Sequence, residues 1–139
     1  MKVLVDTSVW SLALRRKSEA LNAEEKRIVA ELTELIREGR AAIIGLIRQE
    51  LLSGVKSNEQ YETLRRHLKA FPDQAVDTAD YEEAARFSNQ CRAKGIAVFA
   101  VDMLICAVAI NKSWMVFTTD SDFAMYRRVF PVQLHRPRK

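Results

Sequence analysis

Apolar residues along the chain form short unbroken runs that are separated by longer stripes at helical spacing. The clearest runs lie between Lys2 and Asp6, between Ala41 and Leu46, and between Trp114 and Asp120. Unbroken apolar character favours strands that are covered on both faces, as in a parallel sheet. Because helical stripes alternate with these runs, the pattern predicts an α/β fold with a central, mainly parallel sheet.

Several of the helical stripes carry their own start and stop signals. Asn22 and Glu25 have the spacing of a capping box, and Gly39 is suited to end the helix that follows. The almost unbroken apolar stretch from Met103 to Ile110 predicts a buried central helix. The predicted helices are Val9 to Leu14, Asn22 to Gly39, Ile47 to Gly54, Tyr61 to Phe71, a helix capped by Thr78 or Asp80 that runs to Lys94, and Met103 to Ile110.

Two further segments are weaker candidates for strands. Gln74 to Asp77 is long enough for a very short strand. Val129 to Leu134 is interrupted by Pro131, which has no N–H group to donate, so this segment is expected at an edge of the sheet.

Length and composition fit one globular domain that spans residues 1–139. The chain is 48% hydrophobic and 29% charged, which gives no argument for disorder. Its formal charge of +4 permits a polyanionic partner without requiring one. Cys91 and Cys106 lie in apolar surroundings without the spacing of a disulfide framework or a thiolate metal site. We therefore expect buried thiols in a reducing compartment.

Nothing in the sequence predicts a membrane segment or export. The longest apolar stretch, Ile96 to Ile110, contains Asp102 and is shorter than the roughly 20 residues that span a bilayer. Met1 and Lys2 lead directly into the first strand, without the features of a secretory signal. The sequence thus predicts a cytoplasmic protein.

Acids stand at the ends of the predicted strands and at the starts of predicted helices. Asp6 and Asp120 finish two buried strands, whereas Glu50 and Asp102 follow apolar segments at helix starts. Each acid has an ordinary alternative role: an N-cap for Asp6, a solvated helix position for Glu50, and a turn or N-cap for Asp120 and Asp122. If the strands are parallel, all these positions meet beyond their carboxyl ends, where open α/β sheets bind ligands.

Asp102 is the most informative of these acids. Ile105, Cys106 and Ala109 follow it at spacings of three, four and seven residues, so a carboxylate begins an apolar stripe. A buried carboxylate normally acquires a cation or a metal as its partner, or becomes protonated. A cap on the central helix is an equally good explanation for Asp102.

Carboxylates crowded at one edge of a sheet repel one another, so some become protonated unless a cation is bound. Oxygen ligands without nearby cysteine or histidine suit Mg²⁺ or Mn²⁺ and do not suit Zn²⁺. Such a site can turn water into a nucleophile and stabilise charge on a phosphoryl group. The acids therefore favour metal-assisted chemistry on a phosphoryl group, of the kind that nucleases and phosphatases carry out.

Four motifs that contain these acids follow one another along the chain. They are Asp6-Thr7-Ser8, Arg48-Gln49-Glu50-Leu51, Val101 to Ala109, and Thr118 to Phe123. In these motifs and their order the chain resembles the PIN-domain ribonucleases. Within that family it resembles the VapC toxins of bacterial and archaeal toxin–antitoxin pairs, over essentially its whole length.

The resemblance implies a five-stranded parallel sheet between helices and an endoribonuclease that depends on Mg²⁺ or Mn²⁺. It also implies a homodimer and a small VapB-like antitoxin whose tail occupies the acidic groove. The residues it implies for the site are the core acids Asp6, Glu50, Asp102 and Asp120, the outer ligand Asp122, and the helper hydroxyls Ser8 and Thr118.

From these residues we expect metal-activated water to attack an RNA phosphodiester in line, leaving 5′-phosphate and 3′-hydroxyl ends without a protein nucleophile. Basic side chains could hold RNA phosphates around the acids, although ordinary solubility explains them equally well. These candidates are Arg15, Arg16, Lys17, Arg65, Arg66 and the tail His135 to Lys139.

Three other functions stay open at this point. A PIN nuclease of RNA processing or repair would work without an antitoxin. An aspartyl-phosphate enzyme would use Asp6 as its nucleophile, but such phosphatases carry a second acid two residues later, where this chain has Ser8. A noncatalytic, receiver-like signalling module would carry a lysine after a late strand, and Thr118 to Phe123 contains none.

Overall fold

The computed structural model describes residues 1–139, in which three short strands alternate with seven α-helices and one 3₁₀ turn. The strands are β1 (Val3–Val5), β2 (Ala41–Ala42) and β3 (Met115–Phe117). The helices are α1 (Thr7–Leu14), α2 (Ala23–Arg37), α3 (Gly45–Leu52), α4 (Asn58–Leu68), α5 (Thr78–Ala93), α6 (Ala100–Lys112) and α7 (Asp122–Tyr126), and the 3₁₀ turn is Ser18–Ala20.

The three strands form one parallel sheet in the order β2-β1-β3, so the predicted α/β fold is confirmed. Val5 pairs with Phe117 and Leu4 pairs with Ala42, which aligns the carboxyl ends of the strands. The residues that follow the strands therefore emerge along one edge of the sheet. All three residues of β1 are fully buried, as the unbroken apolar run predicts.

The prediction of five strands is wrong. The two outer segments make only isolated parallel bridges, Ile43 with Asp73 and Val116 with Leu134. On one side Pro72 comes directly before the bridge, and on the other Pro131 interrupts the segment. Because proline cannot donate to a ladder, the pairing does not extend into a strand on either side. The sheet thus has a three-stranded core with two single-residue extensions.

Helix α6 is the central helix of the fold, as its sequence predicts. Seven consecutive residues from Met103 to Ala109 are buried, and α6 packs against α5, β1 and β3. Asn111 donates a hydrogen bond of 2.7 Å to the buried carboxylate of Asp80, which ties α5 to the carboxyl-terminal end of α6. Asp102 therefore stands at the opposite end of α6 from this contact.

The predicted capping signals are correct for α2 and need correction for α5. Asn22 and Glu25 form the reciprocal capping box of α2. For α5, the N-cap is Asp77 and neither Thr78 nor Asp80 takes that place. Asp77 and Asp80 form a second capping box, which the sequence analysis did not identify. In addition, α3 begins at Gly45, earlier than expected.

All seven α-helices fall short of the combined length and apolarity that a bilayer crossing demands. Cys91 and Cys106 are free and buried, as expected, and burial raises the pKa of both thiols. Trp10 lies in the core, where its indole N–H donates to the carbonyl of Val5 at 3.0 Å.

Candidate active site

The parallel sheet brings the predicted acids to its carboxyl edge. Asp6 directly follows β1 and donates its backbone N–H to the carbonyl of Phe117 at 2.9 Å, so it lies beside Thr118 at the end of β3. Glu50 reaches the same edge from α3, which follows β2, and Asp102 reaches it as the third residue of α6. The edge therefore collects side chains from four separate parts of the chain.

Asp6 is almost completely buried, with 6% of its surface exposed, and uses both carboxylate oxygens. Its Oδ1 accepts the backbone N–H of Thr7 at 2.8 Å, so the N-cap role considered from the sequence is confirmed. Its Oδ2 accepts the hydroxyls of Thr118 at 2.7 Å and Ser8 at 3.3 Å. Burial raises the pKa of Asp6 above its ordinary value, while these three hydrogen bonds oppose the rise.

Glu50 is half-buried and joined to Asp6 through Thr7. The Thr7 hydroxyl donates to Glu50 Oε1 at 2.5 Å, while the Thr7 backbone N–H binds Asp6. The alternative of an ordinary solvated helix residue is therefore wrong for Glu50. Sequence reasoning treated Thr7 only as part of the Asp-Thr-Ser motif, and the one signal for its role is a hydroxyl directly after the capping acid.

Helix α3 is held in place by Arg48, two residues before Glu50. The Arg48 guanidinium binds Asp73 Oδ1 at 2.9 Å and the carbonyl oxygens of Leu68 and Phe71. These contacts fix α3 against the end of α4 and the bridge at Asp73. Arg48 belongs to one of the four motifs, and its contacts are structural.

Asp102, Asp120 and Asp122 form the most crowded part of the edge. One carboxylate oxygen from each lies within 4.8 Å of the other two, which is close enough to share a metal ion. No lysine, arginine or histidine forms an ion pair with these three acids, nor with Asp6 or Glu50. The negative charge at this edge is therefore not neutralised by the chain itself.

The surroundings of Asp102 decide between the two roles considered from the sequence. The N-cap of α6 is Phe99, and the Asp102 carboxylate accepts no hydrogen bond from the backbone of the helix. Instead, Asp102 Oδ2 accepts the hydroxyl of Tyr126 at 2.8 Å. The cap alternative is therefore wrong, and the carboxylate is directed towards the other acids.

The pKa of Asp102 is raised to about 6, mainly because burial disfavours the charged carboxylate. The hydrogen bond from Tyr126 lowers the pKa, and the nearby charges of Asp6, Asp120 and Asp122 raise it. A cation bound among these groups would oppose both the burial cost and the repulsion. The electrostatics thus fit a site for a positive ion.

The sequence offered a turn or N-cap role for both Asp120 and Asp122, and the structure supports such a role only for Asp120. Asp120 Oδ1 accepts the backbone N–H of Asp122 at 2.9 Å, so its turn role is confirmed for that oxygen. Asp122 does not cap α7, since the N-cap position is Ser121. One oxygen of Asp120 and both oxygens of Asp122 have no protein hydrogen-bond donor.

Thr118 and Ser8 connect Asp6 to the turn that carries Asp120. The Thr118 hydroxyl donates to Asp6 and accepts the backbone N–H of Asp120 at 3.0 Å. The Ser8 hydroxyl accepts the backbone N–H of Thr119 at 3.1 Å and lies 3.4 Å from the Thr118 hydroxyl. Both predicted helpers therefore lie in the network, where they orient Asp6 and the turn that carries Asp120.

Tyr126 is the contact that sequence reasoning missed. Its side chain is fully buried, and its hydroxyl contacts Asp102 across 24 positions of sequence. Burial and the nearby carboxylates raise the pKa of Tyr126 far above its ordinary value, so the hydroxyl stays protonated and donates. A buried tyrosine needs a partner for its hydroxyl, but the sequence does not identify that partner.

The residues present fit a hard divalent cation. All groups at the edge are oxygen donors, the nearest carboxylates crowd together without a cation, and neither cysteine nor histidine takes part. The carboxylates of Asp102, Asp120 and Asp122 would bind such an ion, and Asp6 and Glu50 lie at the same edge. The arrangement can therefore hold charge, position water and receive an anionic substrate only when a cation is present.

The basic side chains proposed for RNA are partly committed elsewhere. Arg16 pairs with Glu25, and Arg65 pairs with Glu62. In the tail, Arg138 binds Glu31 and Glu38. Each of these three arginines therefore already has an acidic partner within the chain, and Arg138 holds the tail against α2.

Comparison with known proteins places these observations in a family. The family described as PIN domain matches residues 3–129. Ribonuclease VapC11 of Mycobacterium tuberculosis and VapC ribonuclease Mb1587 of Mycobacterium bovis are each 30% identical over 133 residues, which cover 94% of this chain and 96% of the relative.

Solved structures share the fold at lower sequence identity. FitAcB from Neisseria gonorrhoeae superimposes with a TM-score of 0.76 at 23% identity, covering 97% of both chains. VapBC2 from Rickettsia felis, bound to a DNA fragment from its promoter, gives a TM-score of 0.75 at 17% identity and covers 97% of this chain and 98% of the other. At such identities the likeness establishes the fold alone.

Proposed function

This chain belongs to the PIN-domain family, and from that premise we propose that it is a VapC-type endoribonuclease that depends on Mg²⁺ or Mn²⁺. The proposal takes residues 1–139 as one PIN domain in the cytoplasm. The observation that carries it is the crowding of Asp102, Asp120 and Asp122 within 4.8 Å, without a basic partner, beside Asp6 and Glu50. Ribonuclease is the activity named for the relatives that are 30% identical.

The acids have separable roles in this proposal. Asp102, Asp120 and Asp122 would hold the divalent cation on one side, and Asp6 and Glu50 would complete its surroundings. When bound, the cation supplies Lewis acidity towards the phosphodiester and towards the attacking water. Asp122 is the one acid of the five that shares no hydrogen bond with Thr7, Thr118 or Tyr126, which is consistent with the outer position that the family resemblance implies for it.

The protein residues orient the reacting groups and do not attack the substrate themselves. The hydroxyls of Thr7, Ser8 and Thr118 donate to the carboxylates of Glu50 and Asp6, and in this proposal they hold these acids in place and do not attack phosphorus. Water oxygen therefore forms the new bond to phosphorus, and the bond from phosphorus to the 3′ oxygen breaks. The products are a 5′-phosphate and a 3′-hydroxyl.

The proposal includes a VapB-like antitoxin and a homodimer. Its support is the fold shared with chains from toxin–antitoxin complexes of Mycobacterium tuberculosis, Klebsiella pneumoniae and other bacteria. We call the carboxyl edge of the sheet the acidic edge, after Asp6, Glu50, Asp102, Asp120 and Asp122. An antitoxin that masks the acidic edge would block both the cation and the RNA. A gene for a short DNA-binding protein beside this one would distinguish the VapC assignment from a PIN nuclease of RNA processing or repair.

The decisive experiment compares RNA cleavage by the parent protein with cleavage by Asp6→Asn and Asp102→Asn. We expect each variant to lose at least about a hundredfold in rate in Mg²⁺ or Mn²⁺, because each removes a charge at the proposed ion site. Mapping the cleaved ends on total RNA should give 5′-phosphates.

Asp77→Asn is a matched control for the loss of one carboxylate charge. Asparagine caps helices as well as aspartate does, and Asp77 caps α5 near the far end of α6 from Asp102. This variant should cleave at the parent's rate. Parent-like cleavage by folded Asp6→Asn and Asp102→Asn would contradict the proposal.

A further inference from the structure

The last residues of the chain form a strap across α2. We define the strap as His135 to Arg138. Its two ends bind Glu31, whose side chain is only 2% exposed: His135 Nε2 lies 2.6 Å from Oε2 and Arg138 Nε lies 2.8 Å from Oε1. Arg138 also reaches Glu38 at 2.9 Å. The strap is therefore fixed at both ends to one helix.

Arg136 lies between these two anchors and has a different environment. It is exposed and forms no ion pair with any acid. Because His135 before it and Arg138 two residues after it are held against Glu31, the backbone that carries Arg136 has a defined position. The strap thus uses one arginine for structure and leaves another available to a ligand.

Arg136 lines a groove with a volume of about 750 Å³. The strap forms one wall, and residues of α1, α2 and the end of β3 form the others. Ser8 and Thr118 also line this groove, and both of their hydroxyls bind Asp6 Oδ2. The groove is therefore next to the hydrogen-bond network of Asp6, with which it shares these two hydroxyl residues.

The charged groups in the groove leave two guanidinium groups uncommitted. Arg16 is paired with Glu25 at 3.2 Å, and Glu25 also accepts the backbone N–H of Asn22 at 3.0 Å. Arg27 and Arg136 form no ion pair, and Glu24 is the one unpaired acid among the lining residues. The groove thus presents a net positive surface beside a strongly negative one.

We infer that this groove guides an RNA strand to the acidic edge, with Arg27 and Arg136 binding its phosphates. The inference rests on the proposed function and assigns the substrate contacts that it leaves open. A guanidinium group binds phosphate through two parallel hydrogen bonds, whereas a phosphate placed on the acids alone would be repelled. Arginines in the approach path therefore compensate for the charge of the edge.

The lining of the groove also indicates how the RNA is read. Its one aromatic residue besides His135 is Phe117, which is 1% exposed and belongs to the core, so the groove offers no exposed ring for base stacking. Contacts to phosphates carry no sequence information directly. The contacts of Arg27 and Arg136 to phosphates would accordingly contribute affinity and orientation.

The test measures RNA binding apart from cleavage, in the Asp102→Asn background. Anisotropy of a fluorescein-labelled single-stranded RNA is recorded between about 50 and 200 mM salt for Arg27→Gln and Arg136→Gln. Each substitution should weaken binding about three- to tenfold at the lower salt and reduce the slope of log K against log salt by about 0.7, the value for one phosphate contact.

Arg37→Gln is the matched control, because Arg37 is an exposed arginine of the same helix as Arg27 but pairs with Glu34 outside the groove. It should change neither affinity nor slope. In proteins that retain Asp102, the two groove variants should raise KM for RNA cleavage and leave kcat within about twofold, since they remove binding that is equal in the ground and transition states.

The possible results separate the inference from the function beneath it. If the parent cleaves RNA and both groove variants keep its affinity and salt slope, only the inference is overturned. If the parent neither binds nor cleaves RNA, the proposed function fails and the inference fails with it. If the variants lose binding to a polyglutamate peptide but not to RNA, the groove serves an acidic protein segment and the inference is again overturned.

Discussion

Among the regions of this molecule that bury acidic side chains, the strap and the acidic edge treat the negative charge in opposite ways. Glu31, beneath the strap, is bound by His135 and Arg138, and these hydrogen bonds lower its pKa. Asp102, at the acidic edge, is bound by the neutral hydroxyl of Tyr126 and faces other carboxylates, so its pKa rises to about 6. The chain supplies a cation to the first acid and none to the second.

This contrast distinguishes an acid that stabilises the fold, Glu31, from an acid that belongs to a functional site, Asp102. The chain carries 22 lysine and arginine residues, so the supply of cations is not limiting. Leaving five acids at one edge without any of them costs free energy in the absence of a ligand. We interpret that cost as the sign of a site built for an external cation.

The largest expected effect on stability comes from removing the compensated acid. Glu31→Gln should lower the free energy of unfolding by about 2–3 kcal/mol, because it leaves His135 and Arg138 without their buried partner. This is below the range of about 3–5 kcal/mol for fully buried pairs, since Arg138 is 47% exposed. Urea unfolding at pH 7 measures the change, and an unchanged midpoint would show that the strap is not held by Glu31.

The contribution of Glu31 should also have a defined pH dependence. Its pKa in the folded protein lies below the ordinary value of 4.5, so the stabilisation is fully present above about pH 4.5 and is lost as the pH falls through the folded pKa. The parent and Glu31→Gln proteins should therefore converge in stability in acid. A difference that stayed constant down to pH 2 would contradict this assignment.

Removing Asp102, which has no cationic partner, should change the free energy of unfolding in the opposite direction. In metal-free protein at pH 7.5, Asp102→Asn should raise the free energy of unfolding by about 1–2 kcal/mol. The shift from 3.8 to about 6 corresponds to roughly 3 kcal/mol, which we reduce because Asp102 is only half-buried.

The sign follows from the raised pKa of Asp102. The cost of its charge appears as the pH rises from 3.8 through about 6, and it is absent below 3.8, where both folded and unfolded chains are protonated. Asp102→Asn should thus match the parent in acid and exceed it at neutral pH. Destabilisation at pH 7.5 would mean that Asp102 has a protein partner comparable to that of Glu31.

A divalent cation should stabilise the protein through the acidic edge, and more strongly at higher pH. Saturating Mn²⁺ should raise Tm by several degrees at pH 7.5 and by less at pH 5, because binding then requires Asp102 to lose a proton. Thermal unfolding with Mn²⁺ and with EDTA measures the increment. Glu31→Gln should keep the increment, and an equal increment in Asp102→Asn would place the ion elsewhere.

The smallest effect should come from Tyr126→Phe, which removes one hydrogen bond to Asp102 and keeps the buried ring. Without this donor the pKa of Asp102 rises further. In a plot of cleavage rate against pH, the acid limb should therefore shift to higher pH by less than about one unit. Above that limb the rate should fall by less than about tenfold. Tyr81→Phe, at a hydroxyl that is exposed on α5, should leave the profile unchanged.

Much of the acidic edge could be predicted because its strands are fully apolar. Unbroken runs before Asp6 and Asp120 indicated buried parallel strands, and parallel strands place the residues that follow them at one edge. The outer two strands could not be predicted correctly, since a single bridge and a full ladder have similar sequences. Proline near each bridge decides against the ladder, and that effect depends on the local path of the chain.

The contacts of Tyr126 and Glu31 could not be predicted from the sequence, for a different reason. Both link residues that are far apart along the chain, 24 positions for Tyr126 and Asp102, and 107 for Glu31 and Arg138. Such contacts depend on how α7 and the strap pack, which local spacing does not encode. One signal for Glu31 was present, because it lies three residues after Ile28 and four before Leu35, within the apolar stripe of α2.

The most direct test of the central claim is Mn²⁺ binding measured by electron paramagnetic resonance, in which the signal of free Mn²⁺ decreases as the ion binds. We expect the parent protein to bind at least one ion per chain at pH 7.5. Asp102→Asn should weaken this binding by at least about tenfold, while Asp77→Asn and Glu31→Gln should bind like the parent. Absence of binding, or equal binding by the parent and Asp102→Asn, would contradict the claim that the acidic edge is built for a cation.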